Sequence, residues 1–268
     1  MEEIILFFET KIKTPLPWGT YHLCCLGVLA LCTALLFAFG KRLRKNPRTV
    51  RRLTAGIGIF LLVIELFKQV LIGLHADENG IYWDYPWYTF PFQLCSTPLY
   101  ACIALLFCPQ GRVRQALCCY LGTFGMIGGI AVMLVPSTVF IDVLFIDLHT
   151  MAWHICLVLL GVLQWSGGTI GMKFSDLCGG SIVFLICVCI AVGLNLSLPQ
   201  YAEEGFNMFY LSPYVPISMS DFVEKLWETV PYPVYLIGYV LALLLAAATI
   251  FYTARAIRKA YARGRTEQ

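Results

Sequence analysis

The sequence predicts an all-α, polytopic membrane protein: one domain, residues 1–268, folded as a seven-transmembrane-helix bundle. Three observations predict it. The 268 residues are 59% hydrophobic and 13% charged, about half the charge of an ordinary soluble domain. The apolar residues gather in seven runs, about 20–40, 53–74, 94–109, 116–135, 148–165, 179–197 and 232–254. Runs of roughly 18–25 residues cross a hydrocarbon core of about 30 Å; the third and fifth are short for that. Finally, Lys and Arg gather on alternate loops, which by the positive-inside rule puts the N-terminus outside and the C-terminus in the cytoplasm. In lipid the backbone must satisfy its own polar groups, so the spans are helices.

The elements follow in order. The first residues are acidic (Glu2, Glu3, Glu9) and lack the basic leading region of a cleavable signal. The apolar piece Ile4–Phe8 is too short to span and is expected at the interface, with Trp18 and Tyr21 marking the start of the first span. Loop 41–52, KRLRKNPRTVRR, holds seven cations and lies inside. It attracts anionic lipid and sets topology rather than binding nucleic acid. The outer loop 75–92, HADENGIYWDYPWYTFPF, is acidic and aromatic. Its rings read as a belt at headgroup level or as the wall of a lipid-binding cleft. Arg112, Arg114 and Lys173 fall on the inner side. In the fourth span, GMIGGI (Gly125, Gly128, Gly129) reads as a close helix contact. The outer segment 198–231 pairs Ser218 with Asp221 in a capping-box pattern, followed by Phe222, Leu226 and Val230 at helical spacing. A short amphipathic helix on the membrane surface is expected there, ended by Pro231 and Pro233. Residues 255–268 form a basic cytoplasmic tail.

Some chemistries are excluded. The 12 cysteines lie mostly inside spans and do not form the disulfide framework of a small secreted domain. Zinc-ribbon, HExxH, phosphate-loop and dinucleotide patterns are missing. No metal and no cofactor is expected; the partners are membrane lipids.

What remains is polar chemistry inside the spans, where ionisable groups are costly. The second span carries Glu65 and Lys68 in FLLVIELFKQVL. Three residues apart, they can pair with each other, and either lock the bundle or support a site. His22 at the first interface and His75 in the outer loop read as solvated. His149 and His154, in DLHTMAWHICL, point about 140° apart and do not share a ligand face. His154 lies roughly 7–9 Å below the outer boundary. Cys95, in FPFQLCSTPLY, descends from the same side to comparable depth. A cysteine beside a histidine can become a thiolate and attack an ester carbonyl, with Ser96, Gln93 or Thr97 as donors to the oxyanion. The plain alternative is a packed cysteine and a hydrogen-bonded histidine.

Three stretches carry a resemblance. FPFQLCSTPLY looks like an LPLHLCS-type start to a third span. The histidine of MAWHICL follows 59 residues after Cys95. NMFYLSP (207–213), followed by DFVEKLWETVPYPVYLIGY, looks like an NYxFLxxKP segment with an aromatic–proline start to a last span. In this order, from about Leu53 to Arg255, the chain resembles the YwaF-like family of bacterial integral membrane proteins, related to the animal acyltransferase transmembrane protein 164. The likeness extends to the androgen-induced hydrolases, which cleave fatty-acid esters. The resemblance implies an acyl intermediate on Cys95 with His154 as its partner, in a bacterial-type plasma membrane. In one departure, Gln93 stands where many bacterial members carry histidine; an amide donates and accepts but is no base.

The expectation is therefore a cysteine-dependent phospholipid acyltransferase, or a lipid ester hydrolase. Cys95 and His154 are the catalytic residues, with Gln93, Ser96, Glu65, Lys68 and Asn207 in support. The alternative is a non-enzymatic seven-helix protein: a small transporter, a sensor or a lipid-binding module.

Overall fold

A computed structural model describes residues 6–78, 80–216 and 221–263. The helices are α1 (Thr20–Ala38), α2 (Gly40–Lys45), α3 (Pro47–Gly73), α4 (Thr97–Phe107), α5 (Arg112–Leu134), α6 (Leu144–Gly167), α7 (Phe174–Ser197), α8 (Asp221–Thr229) and α9 (Tyr232–Arg263). A small hairpin, β1 (Leu74–Asp77) against β2 (Gly80–Trp83), pairs antiparallel with Leu74 opposite Trp83. Among the described residues, six helices are long and apolar enough to cross a membrane: α1, α3, α5, α6, α7 and α9. Their outward faces carry Leu31, Phe60, Ile186 and Leu245, all exposed, as surfaces facing lipid would be.

The expected third span, 94–109, differs. Its helix, α4, has 11 residues and rises about 16 Å, half of a bilayer core. The cause is local. Residues 93–97 form a turn in which Ser96 and Thr97 both donate to the Gln93 carbonyl. Pro98 then fits the first helical turn, where no N–H is needed. At the other end Pro109 drives Cys108 extended, with ψ 125°. The α4 C-terminus nevertheless reaches the basic end of the bundle. There Arg51 donates to the Leu106 carbonyl at 3.0 Å, and Arg114 to those of Leu105 and Cys108.

Other boundaries move outward. α3 begins at Pro47 because the Asn46 side chain accepts from the Thr49 N–H. α9 runs on through the stretch expected as tail, to Arg263. Helix α8 forms where a surface helix is expected, but the expected cap, Ser218, lies outside the described residues. The side that packs inward is Val223, Trp227 and Val230. Leu226 is 38% exposed. The stripe that meets the bundle is i, i+4, i+7.

Small residues set the packing. A Cβ on Gly58 would stand 2.7 Å from the Cys102 Cβ, and one on Gly161 would stand 2.2 Å from Met126 Cγ. Such gaps let α3 meet α4 and α5 meet α6 at close range. Inside α5, Leu121–Gly125 is a π-helical segment. Phe124 there stacks on Phe184 of α7 at 4.3 Å and 7°. The N-terminal segment also docks. Phe8 packs edge-on against Phe67 and Phe145, and Lys11 pairs with Asp142 at 3.0 Å. Ile4, expected with it at the interface, lies outside the described residues.

Candidate functional site

Cys95 and Glu65 stand at matching depth. Gly58 and Cys102 touch. Glu65 lies seven residues, about 10 Å, above Gly58 on α3, and Cys95 lies seven before Cys102, in the turn that precedes α4. The charges that reach the Cys95 thiol are those of Lys68 and Glu65, and the Ser96 hydroxyl lies beside it. Cys95 as a residue is half-buried. Its carbonyl accepts from the Trp153 indole of α6 at 2.9 Å. Gly128 of α5 lies against its backbone: a Cβ there would be 3.4 Å from both the Cα and the Cβ of Cys95.

Glu65 and Lys68 pair as their spacing predicts, at 2.8 Å, with side chains 6% and 15% exposed. The carboxylate gathers more. Gln69 donates to it at 2.7 Å and also to the Thr89 carbonyl at 3.0 Å. Tyr85 in turn donates to the Gln69 oxygen at 2.5 Å. Burial, with the nearby Glu65 charge, pushes the Tyr85 phenol above its ordinary value, so it remains a donor. His149 brings Nε2 to 3.4 Å from the other Glu65 oxygen and stacks on Trp153. The alignment is poor, so that nitrogen lacks a formed hydrogen bond. Hydrogen bonds thus run from the aromatic loop through Gln69 to Glu65, and His149 lies between that carboxylate and Trp153, which holds Cys95.

His154 is 5% exposed. Its Nδ1 lies 2.7 Å from the Thr150 carbonyl. A carbonyl only accepts, so Nδ1 carries the proton and Nε2 keeps a lone pair. That Nε2 is buried and has no partner. His149 and His154 indeed part company: the first turns to α3, the second does not. A Cβ on Gly129 would stand 3.0 Å from the His154 carbonyl. Successive glycines of α5 thus lie against Cys95 and the His154 backbone.

The remaining expected residues serve the chain locally. Gln93 donates to the Asn207 carbonyl and accepts from the Phe209 N–H, both at 2.8 Å. Asn207 accepts from Ser212 at 2.8 Å and donates to Val215 at 3.2 Å. Together with Asn195, which bonds both backbone groups of Met208, they brace a loop where Phe209 and Tyr210 have φ of 58° and 56°. Thr97 is engaged with Leu94 and Tyr120. Two histidines differ from expectation. His22 is wholly buried, because Trp18, at φ 63°, turns its N–H onto Nδ1 while Nε2 donates to Met133. His75 is half-buried and pairs with Glu9 at 3.1 Å. Sequence reasoning missed Gln69, Tyr85, Trp153 and Asn195. Gln69 alone had a signal, one turn after Glu65 on the same helix face.

Among the described residues no group of three or more His, Cys, Asp or Glu side chains converges on a metal position.

Fold and site define a multi-pass helical membrane protein with a thiol, an unpartnered imidazole and a compensated charge cluster toward the aromatic end of its bundle. The family model of the TMEM164 family matches residues 17–252, and the chain belongs to that family. No curated protein and no solved structure matches the chain.

Proposed function

We propose that this protein is a membrane acyltransferase that moves an acyl chain from a phospholipid through a thioester on Cys95. The observation that carries the reading is His154: a buried imidazole whose tautomer is fixed by Thr150 and whose Nε2 is a free base. It neighbours Trp153, which holds Cys95. The setting is a bacterial-type plasma membrane. The bundle crosses seven times with its N-terminus outside, α4 completing its crossing with the irregular segment before it. Lipid ester groups lie just beneath the headgroups, the depth at which Cys95 and His154 stand.

The steps follow. Nε2 of His154 takes the thiol proton, and the thiolate attacks the ester carbonyl. With Gln93 and Thr97 engaged, Ser96 is the hydroxyl left to donate to the oxyanion. The intermediate expels the lysolipid alkoxide, which takes the proton from His154. A second lipid alcohol, deprotonated by the same nitrogen, then attacks the thioester and restores the thiol. Water excluded from the bundle favours transfer over hydrolysis.

Purified protein given a labelled phospholipid and a lipid alcohol should transfer the label. Cys95→Ala should abolish transfer, and His154→Ala should slow it by about 10²–10⁴. Full turnover by Cys95→Ala would remove the reading. The internal engagement of Gln93, Asn207 and Glu65 favours a second reading, in which the bundle binds lipid without turnover. Recovery of bound lipid with its ester intact, after long incubation with acceptor, would support that instead.

A further inference from the structure

At the opposite end of the bundle, Arg44 of α2 and Arg258 of α9 meet at the C-terminus of α6, with Arg255 three residues before Arg258 on α9. Gly168 ends that helix at φ 72°, and a Cβ on it would stand 3.2 Å from Arg44 Cγ and 3.8 Å from Arg258 Nη2. A Cβ on Gly40 would stand 3.6 Å from Ser166 and 3.8 Å from Arg44 Nη2, so Arg44 lies in a notch between α2 and α6. Trp165 packs on Phe251 at 5.8 Å, fixing α9 against α6 one turn before Arg255. Arg255 and Arg258, three apart, share a face of α9. The Arg255 Nε is buried with no hydrogen-bond partner.

Two other arginines at this end are answered by the protein. Arg51 and Arg114 donate to the last carbonyls of α4. The last turn of α6 offers Arg44, Arg255 and Arg258 less. The Trp165 carbonyl takes the Gly168 N–H, that of Gln164 takes the N–H and hydroxyl of Thr169, and that of Leu163 takes Ser166. Asp176, the acidic residue near this end, caps its own helix by accepting from the Lys173 N–H. None of the four ion pairs among the described residues includes an arginine. Arg255 and Arg258 are half-buried and Arg44 is exposed beside them; cations brought this close repel one another unless an anion with several oxygens joins them.

We propose that Arg44, Arg255 and Arg258 form a phosphate-binding site for the headgroup of an anionic phospholipid. Guanidinium forks match phosphate oxygens in pairs. The three lie where α2, α6 and α9 emerge from the apolar zone, the level of lipid phosphates. The site is independent of the acyl chemistry at Cys95.

The test uses the whole protein in micelles doped with phosphatidylglycerol or phosphatidylcholine, read by native mass spectrometry for retained lipid. Wild type should retain phosphatidylglycerol preferentially. Joint replacement R44Q, R255Q and R258Q should weaken retention at least about tenfold. A charge-matched control, K41Q with R48Q and K259Q, should leave it within about twofold. Pyrophosphate at millimolar concentration, added without lipid, is the second arm. Thermal stabilisation of wild type but not of the triple variant by pyrophosphate alone supports the same site with a soluble phosphate as its source. Equal losses in triple variant and control, or no preference for phosphatidylglycerol over phosphatidylcholine and no response to pyrophosphate, overturn the proposal. Should the triple variant fail to fold, R258Q alone, against K259Q alone, carries the same comparison.

Discussion

Glu65 and Lys68 show how far a pair of letters reaches. Their spacing in an apolar span announces an ion pair, and the pair forms at 2.8 Å. The rest of the cluster was hidden. Tyr85 and Thr89 lie on an aromatic loop whose path no periodicity describes, and His149 reaches Glu65 from α6. Breaking a buried pair strands a charge, whereas replacing both partners removes the need for compensation. Glu65→Leu alone should therefore cost about 3–5 kcal/mol, and Glu65→Leu with Lys68→Met much less. Reversible unfolding in mixed micelles, read as a double-mutant cycle, measures both. A single variant with no measurable cost would mean that the pair is solvated. His22 teaches the converse: a polar residue at an expected interface became wholly buried because one residue, Trp18, turned back onto it.

Among the elements, apolar length revealed the six long helices and their order. It did not reveal that the run at 94–109 is a half-length helix preceded by a turn, because residues 94–96 are as apolar or small as their neighbours. The Gln93 carbonyl taking two N–H groups decides that break. Along α8 several apolar positions in DFVEKLWETV satisfy a helical period, and it is the neighbours that bring Val223, Trp227 and Val230 against the bundle while Leu226 stays exposed. The glycines of α5 were read correctly as a packing surface, yet they are unequal. A Cβ at Gly128 would make an ordinary 3.4 Å contact with Cys95, whereas one at Gly129 would stand 2.8 Å from Val158 and 3.0 Å from Leu157. Gly129→Ala should lose about 1–3 kcal/mol through overpacking, and Gly128→Ala should lose clearly less. Thermal unfolding in detergent ranks them, and the opposite order would contradict the packing described for α5 and α6.

For the whole molecule, the bundle separates two environments. At its basic end Arg51 and Arg114 donate to the last carbonyls of α4, and Arg44 and Arg258 meet beside the C-terminus of α6. Its aromatic end holds a thiol, a free imidazole nitrogen and a compensated carboxylate under a braced loop. Residue types and depth made Cys95 and His154 legible as candidates. What depth alone did not give is the tautomer of His154, set by Thr150, or the Trp153 link to Cys95, since both depend on how α6 is rotated within the bundle. The proposed enzyme stands or falls on covalent chemistry at one sulfur. Intact-protein mass spectrometry after incubation with a phospholipid of known acyl chain tests it most directly. Wild type should gain the mass of one acyl group, released by neutral hydroxylamine, and Cys95→Ser should carry no hydroxylamine-labile adduct. An adduct of equal yield in Cys95→Ser, or none on wild type while lipid is being transferred, would contradict the account.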